Sequence, residues 1–122
     1  MTEIPVLVIT PEGDINDEVI GTESDGSTLR GMYRLIGCQT VSVVSLDGAA
    51  DMWVDDEGAL NGSPINLLAT WVAVLLGAPR QYYLGTALFT GHRGSDTTPL
   101  TDEQRGVIHA ALSKLMDGGS PC

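Results

Sequence analysis

The most informative part of this sequence is the pair of stretches WVDDEG at residues 53–58 and SPINLLAT at residues 63–70. The first is apolar and then acidic, which predicts a strand that ends in a turn. The second places Ser63 before Pro64, an arrangement typical of a helix N-terminus, and continues with apolar residues to position 76. A single polar side chain, Asn66, lies near the start of this predicted helix.

The sequence on either side supplies further strands and two more helices. Strands are predicted at 4–10, in a hairpin over 40–54 and at 82–90, with a weak edge strand or a loop within 12–26 and a polar loop at 91–99. Helices are predicted near 28–36, from the apolar spacing that begins at Leu29, and near 101–116, where Thr101 and Gln104 form a capping-box pair. The third helix is the apolar one at 64–76.

This mixture of helix-like and strand-like spacing of apolar residues predicts an α+β fold. We expect a single small domain over residues 1–117, in which a mainly antiparallel sheet of four or five strands packs with three helices, followed by a frayed C-terminal tail at 118–122. A length of 122 residues with 43% apolar and 18% charged residues agrees with one hydrophobic core.

The charge balance limits the classes of partner. Sixteen Asp and Glu residues against six Lys and Arg residues give a formal net charge of −10. Direct nucleic-acid binding usually depends on a basic stripe, and the basic residues here are scattered, so we do not expect it. The acidic surface favours solubility, binding to basic protein surfaces, or imitation of the DNA phosphate path.

Compartment and source are indicated by composition. Two cysteines, Cys38 and Cys122, form no disulfide framework and are expected to be reduced thiols. The first residues lack a positive region followed by an apolar core, and the longest apolar run is too short to span a membrane. These features predict a cytoplasmic protein. Five arginines against one lysine indicate a high-GC genome, typical of an actinobacterial host or its phages.

The acidic turn is the first candidate site. Asp55, Asp56 and Glu57 form the densest group of carboxylates, which predicts a solvated turn or a surface for a protein partner. Three successive residues cannot all converge on one cation, and the alternating pattern of a calcium loop is absent, so no metal site is predicted.

Two other polar residues draw attention. Asn66 is expected to hydrogen-bond backbone groups of the preceding acidic turn, with contact to a ligand or partner as the alternative. His92, Ser95 and Asp96 are close in sequence, but a catalytic triad is recognised by spatial roles, and no nucleophile motif accompanies them. Phosphate-binding glycine motifs and zinc-ligand spacings are also absent, so no catalytic residue and no cofactor is predicted.

Several of these residues resemble the domain-of-unknown-function family 3846, which occurs in phage, plasmid and conjugative-element proteins. The matching positions are MWVDDEG at 52–58, Pro64, Asn66, Ala69, Gly85, Thr86, Ala87 and Gly91. The resemblance implies a bacteriophage or other mobile genetic element as the context and carries over no catalytic residue.

The leading functional hypothesis is a non-enzymatic phage or plasmid accessory protein that acts through protein-protein interaction with a host or element-encoded protein. The alternatives are a small-molecule-binding protein or small enzyme that uses Asn66, His92 or the acidic turn, and an acidic DNA mimic that inhibits a defence nuclease. The apolar helix at 64–76 also predicts a homodimer, with Trp71 and Val74 as candidate interface residues.

Overall fold

The computed structural model describes residues 3–23, 27–94 and 96–116. Its strands are β1 (Glu3–Ile9), β2 (Ile15–Gly21), β3 (Val41–Leu46), β4 (Ala50–Asp55), β5 (Ala87–Arg93) and β6 (Asp96–Thr98). Its helices are α1 (Leu29–Ile36), α2 (Leu67–Leu75) and α3 (Asp102–Met116). The tail predicted at 118–122 lies outside the described residues.

All strands pair antiparallel in one sheet with the order β2-β1-β5-β4-β3, and β6 pairs with β5. The long strand β5 is central, because its first half pairs with β1 and its last residues pair with β6. β2 and β3 are the outer strands of the main path. The predicted α+β domain with a mainly antiparallel sheet and three helices is therefore confirmed. Within the described residues the sheet has six strands where four or five were predicted.

Each face of the sheet has its own apolar cluster, because successive side chains of a strand point to opposite faces. On one face, α2 and α3 cover the sheet, and the buried cluster includes Phe89, Met52 and Ile108. On the other face, α1 packs through Met32 over Val6 and Leu88. Gly31 permits this approach, since a Cβ there would lie 2.7 Å from Ile20 Cβ.

The end of α1 and the start of α3 lie where the capping residues in the sequence predicted them. Gly37 takes the left-handed conformation after α1 with φ 79°. At α3 the capping box is complete: Thr101 N donates to Gln104 Oε1 at 2.9 Å, and Gln104 N donates to Thr101 Oγ1 at 3.0 Å. Among the described residues, no helix has the length and apolar character that crossing a membrane requires.

Three boundaries differ from the sequence expectations. α2 begins at Leu67, because Asn66 and not Ser63 caps it. The strand predicted at 82–90 is shifted to Ala87–Arg93. Within the polar loop predicted at 91–99, Gly91–Arg93 of β5 pairs with Asp96–Thr98 of β6. The weak segment within 12–26 contains the full strand β2, since every residue of β1 supplies it with a partner.

Candidate functional site

The acidic turn after β4 has a fixed geometry. Asp55 Oδ1 accepts a hydrogen bond from Glu57 N at 2.9 Å, and Asp55 Oδ2 accepts one from Asn61 Nδ2 at 2.9 Å. A side-chain oxygen that bonds the backbone two residues on is the signature of an Asx turn. Asp55 therefore organises the turn, while Asp56 and Glu57 are exposed to solvent.

A large apolar side chain follows these carboxylates in the same loop. Leu60 is 84% exposed, the most exposed large apolar residue in the described part of the chain. Its loop is ordered by backbone hydrogen bonds from Asn61 N to Glu57 O and from Ser63 N to Gly58 O. Sequence reasoning missed Leu60, although an isolated leucine in a polar loop is a signal that could have marked it. The turn and its loop together form a mixed acidic and apolar surface.

Asn66 is a structural residue in the folded chain. It is 1% exposed. Its Nδ2 donates to Ile9 O and to Gly85 O, both at 2.8 Å, and its Oδ1 accepts from Ala69 N at 3.0 Å. The expected contact with the acidic turn is thus replaced by contacts with the end of β1 and the loop before β5. Because both polar atoms of the amide are hydrogen-bonded in the interior, Asn66 is not part of the exposed candidate interaction surface.

The candidate interface residues of α2 are only partly available. Trp71 Nε1 donates to Ala111 O at 3.1 Å, which commits the indole to α3. Val74 is half-buried, and the exposed apolar residues of this helix are Leu67 and Leu75. α3 thus covers much of the helix surface that sequence reasoning left unpartnered. The homodimer stays a prediction, and it now depends on Leu67 and Leu75 more than on Trp71.

His92 lies in β5, not in a loop, and it has a carboxylate partner. Its Nδ1 lies 2.9 Å from Asp51 Oδ1 across the sheet. The carboxylate only accepts, so this contact fixes a proton on Nδ1 and leaves Nε2 of a neutral ring as an acceptor. Asp51 was missed as a partner, although a charged residue inside the apolar strand β4 is a signal of a buried, paired charge.

The pair borders a concavity of about 270 Å³ on the sheet face that α1 covers only in part. Ser45, Trp53 and Thr97 also line it. Trp53 Nε1 donates to Thr90 Oγ1 at 3.0 Å, so the indole is held in place. This polar concavity, the acidic turn and Asn66 are three separate places in the fold.

Other reactive groups do not assemble into a site in the described ranges. Burial, reinforced by the Asp55 carboxylate, raises the pKa of the Cys38 thiol despite an opposing backbone hydrogen bond from Thr40. Cys38 is thus held as a thiol and not as a nucleophilic thiolate. Residues 3–23, 27–94 and 96–116 contain no group of three or more His, Cys, Asp or Glu residues arranged to hold a metal ion.

The fold and its surface define a small acidic α+β domain with a partly open sheet face. The chain belongs to the DUF3846 family: the model of this family, described as a domain of unknown function, matches residues 1–115. The resemblance drawn from the motif residues is therefore confirmed. No curated protein matches the sequence.

A crystal structure of the small RNA methyltransferase HEN1 contains a similar fold, with a TM-score of 0.65 and 13% sequence identity. The similarity covers 93% of this chain and 17% of that chain, so this domain corresponds to a small part of the methyltransferase structure. At this identity the likeness concerns the fold alone.

Proposed function

We propose that this protein is a non-enzymatic accessory protein of a phage or plasmid that binds a host or element-encoded protein through the acidic turn. The observation that carries the proposal is an ordered turn with two exposed carboxylates, Asp56 and Glu57, followed in the same loop by the exposed Leu60. Charged groups around an apolar contact are the usual composition of a protein interface.

The internal bonds of the turn support a binding role. The Asp55 carboxylate accepts hydrogen bonds from Glu57 N and from Asn61 Nδ2, so the backbone that carries Asp56 and Glu57 is held in one conformation. A surface that is ordered before binding loses less conformational entropy when the partner arrives. The net charge of −10 adds a long-range attraction toward a basic surface. We therefore expect a partner with a cluster of Lys and Arg residues.

The setting of this function is also proposed. The family resemblance supports a mobile genetic element, and the arginine-rich, lysine-poor composition supports the cytoplasm of an actinobacterial host. DNA mimicry stays a prediction. The exposed carboxylates of Asp17 and Glu18 lie on the β2 edge, whereas the acidic turn lies at the end of β4.

Neutralising the turn is expected to weaken partner binding. In the double variant Asp56→Asn, Glu57→Gln, we expect the association rate to fall by about tenfold at low salt, because two steering charges are removed. Affinity capture from an actinobacterial lysate identifies the partner, and surface plasmon resonance then measures the rates. Asp55 is left unchanged because its removal would alter the turn itself.

The matched control is Asp102→Asn, Glu103→Gln, which removes two adjacent exposed carboxylates at the start of α3. Both double variants have the same net charge. Equal loss of binding in the two would show a nonspecific effect of net charge, and no loss in the first would contradict the proposed surface.

The polar concavity supports a second candidate, a small-molecule-binding protein. The specific observation is the Asp51–His92 pair, in which a buried carboxylate orients an imidazole whose second nitrogen is an acceptor when the ring is neutral. A buried charge is costly unless it is paired, and sites of this kind often have a functional role. A ligand there would supply hydrogen-bond donors to His92 and to the hydroxyl groups of Ser45 and Thr97.

A thermal-shift screen with a library of small polar metabolites tests this second candidate. A ligand present at about 100 times its Kd adds roughly 2.7 kcal/mol of stability, which raises Tm by several degrees. We expect His92→Gln to abolish that shift and His109→Gln, at the exposed histidine of α3, to retain it. A shift that persists in both variants would place the ligand elsewhere.

A further inference from the structure

The two outer strands of the sheet differ in how they limit pairing with other chains. β2 contains the charged residues Asp17 and Glu18, and Arg105 of α3 forms an ion pair with Asp17. β3 reads VSVVSL and contains neither a charge nor a proline. Natural proteins usually place charged residues or prolines on edge strands to block unwanted pairing. The β3 edge lacks this protection.

The β3 edge is accessible. Within residues 3–23, 27–94 and 96–116, β3 pairs only with β4. Val43 is 48% exposed, and Ser45 is exposed as well. A strand of six residues is about 20 Å long, enough to pair with a complete strand of another chain.

Carboxylates lie at both ends of this uncharged edge. At its beginning, Asp56 N donates to Thr40 O at 3.1 Å, which holds the acidic turn next to β3. Thr40 Oγ1 also donates to Glu57 Oε1 at 3.5 Å. At its end, exposed Asp47 follows Leu46 directly. The edge therefore has an apolar centre between two negative ends.

We propose that β3 binds an extended segment of a partner protein by strand addition, and that this segment has β-branched residues in its centre and basic residues at its ends. The inference rests on the proposed protein-binding function and names the form of the contact. Main-chain hydrogen bonds would provide affinity, and the flanking charges would fix the register.

Charge complementarity selects this occupant over a second copy of the chain. In an antiparallel pair the end of one strand lies beside the beginning of the other. Pairing of two β3 strands would therefore bring Asp47 of each copy toward the acidic turn of the other. Like charges in that position oppose association, whereas Lys or Arg residues at both ends of a partner strand favour it.

The test uses the full chain and a fluorescent peptide, Lys-Val-Thr-Val-Thr-Val-Lys, measured by anisotropy at low salt. We expect saturable binding and slower hydrogen exchange at backbone amides of β3. A peptide N-methylated at alternate residues keeps the side chains but loses main-chain donors, and we expect it to bind at least about tenfold more weakly. A Glu-flanked version is expected to bind weakly as well.

Protein variants separate the edge from the acidic turn. Val43→Lys and Ser45→Lys place a charge on the exposed edge, and we expect each to weaken binding of the Lys-flanked peptide by about tenfold. Asn16→Lys on β2 is the matched control, because it also adds one positive charge at an exposed position of an outer strand, and it should bind as the native protein does. Circular dichroism verifies that each variant is folded.

Three outcomes would overturn the proposal: equal binding of the N-methylated peptide, equal binding by the β3 variants, or assembly of the protein into dimers that exclude the peptide. If the partner captured from lysate depends on Asp56 and Glu57 but not on Val43 or Ser45, strand addition fails and the proposed acidic-turn function stands. If neither pair of residues affects the captured partner, both proposals fail.

Discussion

Replacement of Asn66 with alanine is expected to lower the free energy of unfolding by about 3–7 kcal/mol. The estimate combines loss of a helix N-cap, about 1 kcal/mol, with two buried carbonyls that each lose a donor, about 1–3 kcal/mol apiece where no other donor replaces it. Those carbonyls belong to Ile9 and Gly85. Urea denaturation monitored by tryptophan fluorescence measures the change.

Asn61→Ala is the matched control for Asn66→Ala. Asn61 is exposed, and its amide bonds the Asp55 carboxylate at the surface. We expect a loss below about 1 kcal/mol there, as is usual for surface substitutions. Similar losses in the two variants would contradict the role assigned to Asn66.

Replacement of Gly91 with alanine is the second large expected effect, a loss of about 2–4 kcal/mol from overpacking and damage to the α3 cap. A Cβ at Gly91 would lie 2.6 Å from Thr98 Oγ1, 2.9 Å from Gln104 Oε1 and 3.0 Å from Pro99 O. Gln104 has little freedom to move, because its amide also donates to Gly48 O and Ala49 O. The same denaturation measurement applies, together with circular dichroism of the native state.

Gly106→Ala makes the same chemical change where there is space. Gly106 is exposed in α3, and a Cβ there would meet no atom within 4 Å. Alanine is the better helix former, so we expect a gain of about 1 kcal/mol. The two glycine variants are thus expected to change the free energy of unfolding in opposite directions. A higher free energy of unfolding for Gly91→Ala would show that β6 and Gln104 shift to make room for the added Cβ, and it would contradict the prediction.

Asn66 and Gly91 are also among the positions that identified the family. Asn66 bonds Gly85, another of these positions, and Gly91 allows close approach of the β6 strand and the α3 cap. Asn66, Gly85 and Gly91 therefore connect the sheet to α2 and α3. The physical role of Asn66 and Gly91 is stability, so these two positions of the motif indicate no reaction.

Elements with local signals could be predicted from the amino-acid sequence. The capping box of Thr101 and Gln104, the glycine that ends α1, the β3–β4 hairpin and the α+β class were all predictable, because they depend on neighbouring residues and on apolar period. The acidic turn was also predictable as a turn, since its bonds span few residues.

Contacts between residues on different strands could be identified only from the three-dimensional fold. Asn66 and Ile9 are 57 positions apart, and His92 and Asp51 are 41 apart, so their partners could not be inferred from local pattern. The contrast between a charged β2 edge and an uncharged β3 edge likewise required the strand order. Strand order arises from long-range packing, and the periodicity of a single sequence contains no record of which strands become neighbours.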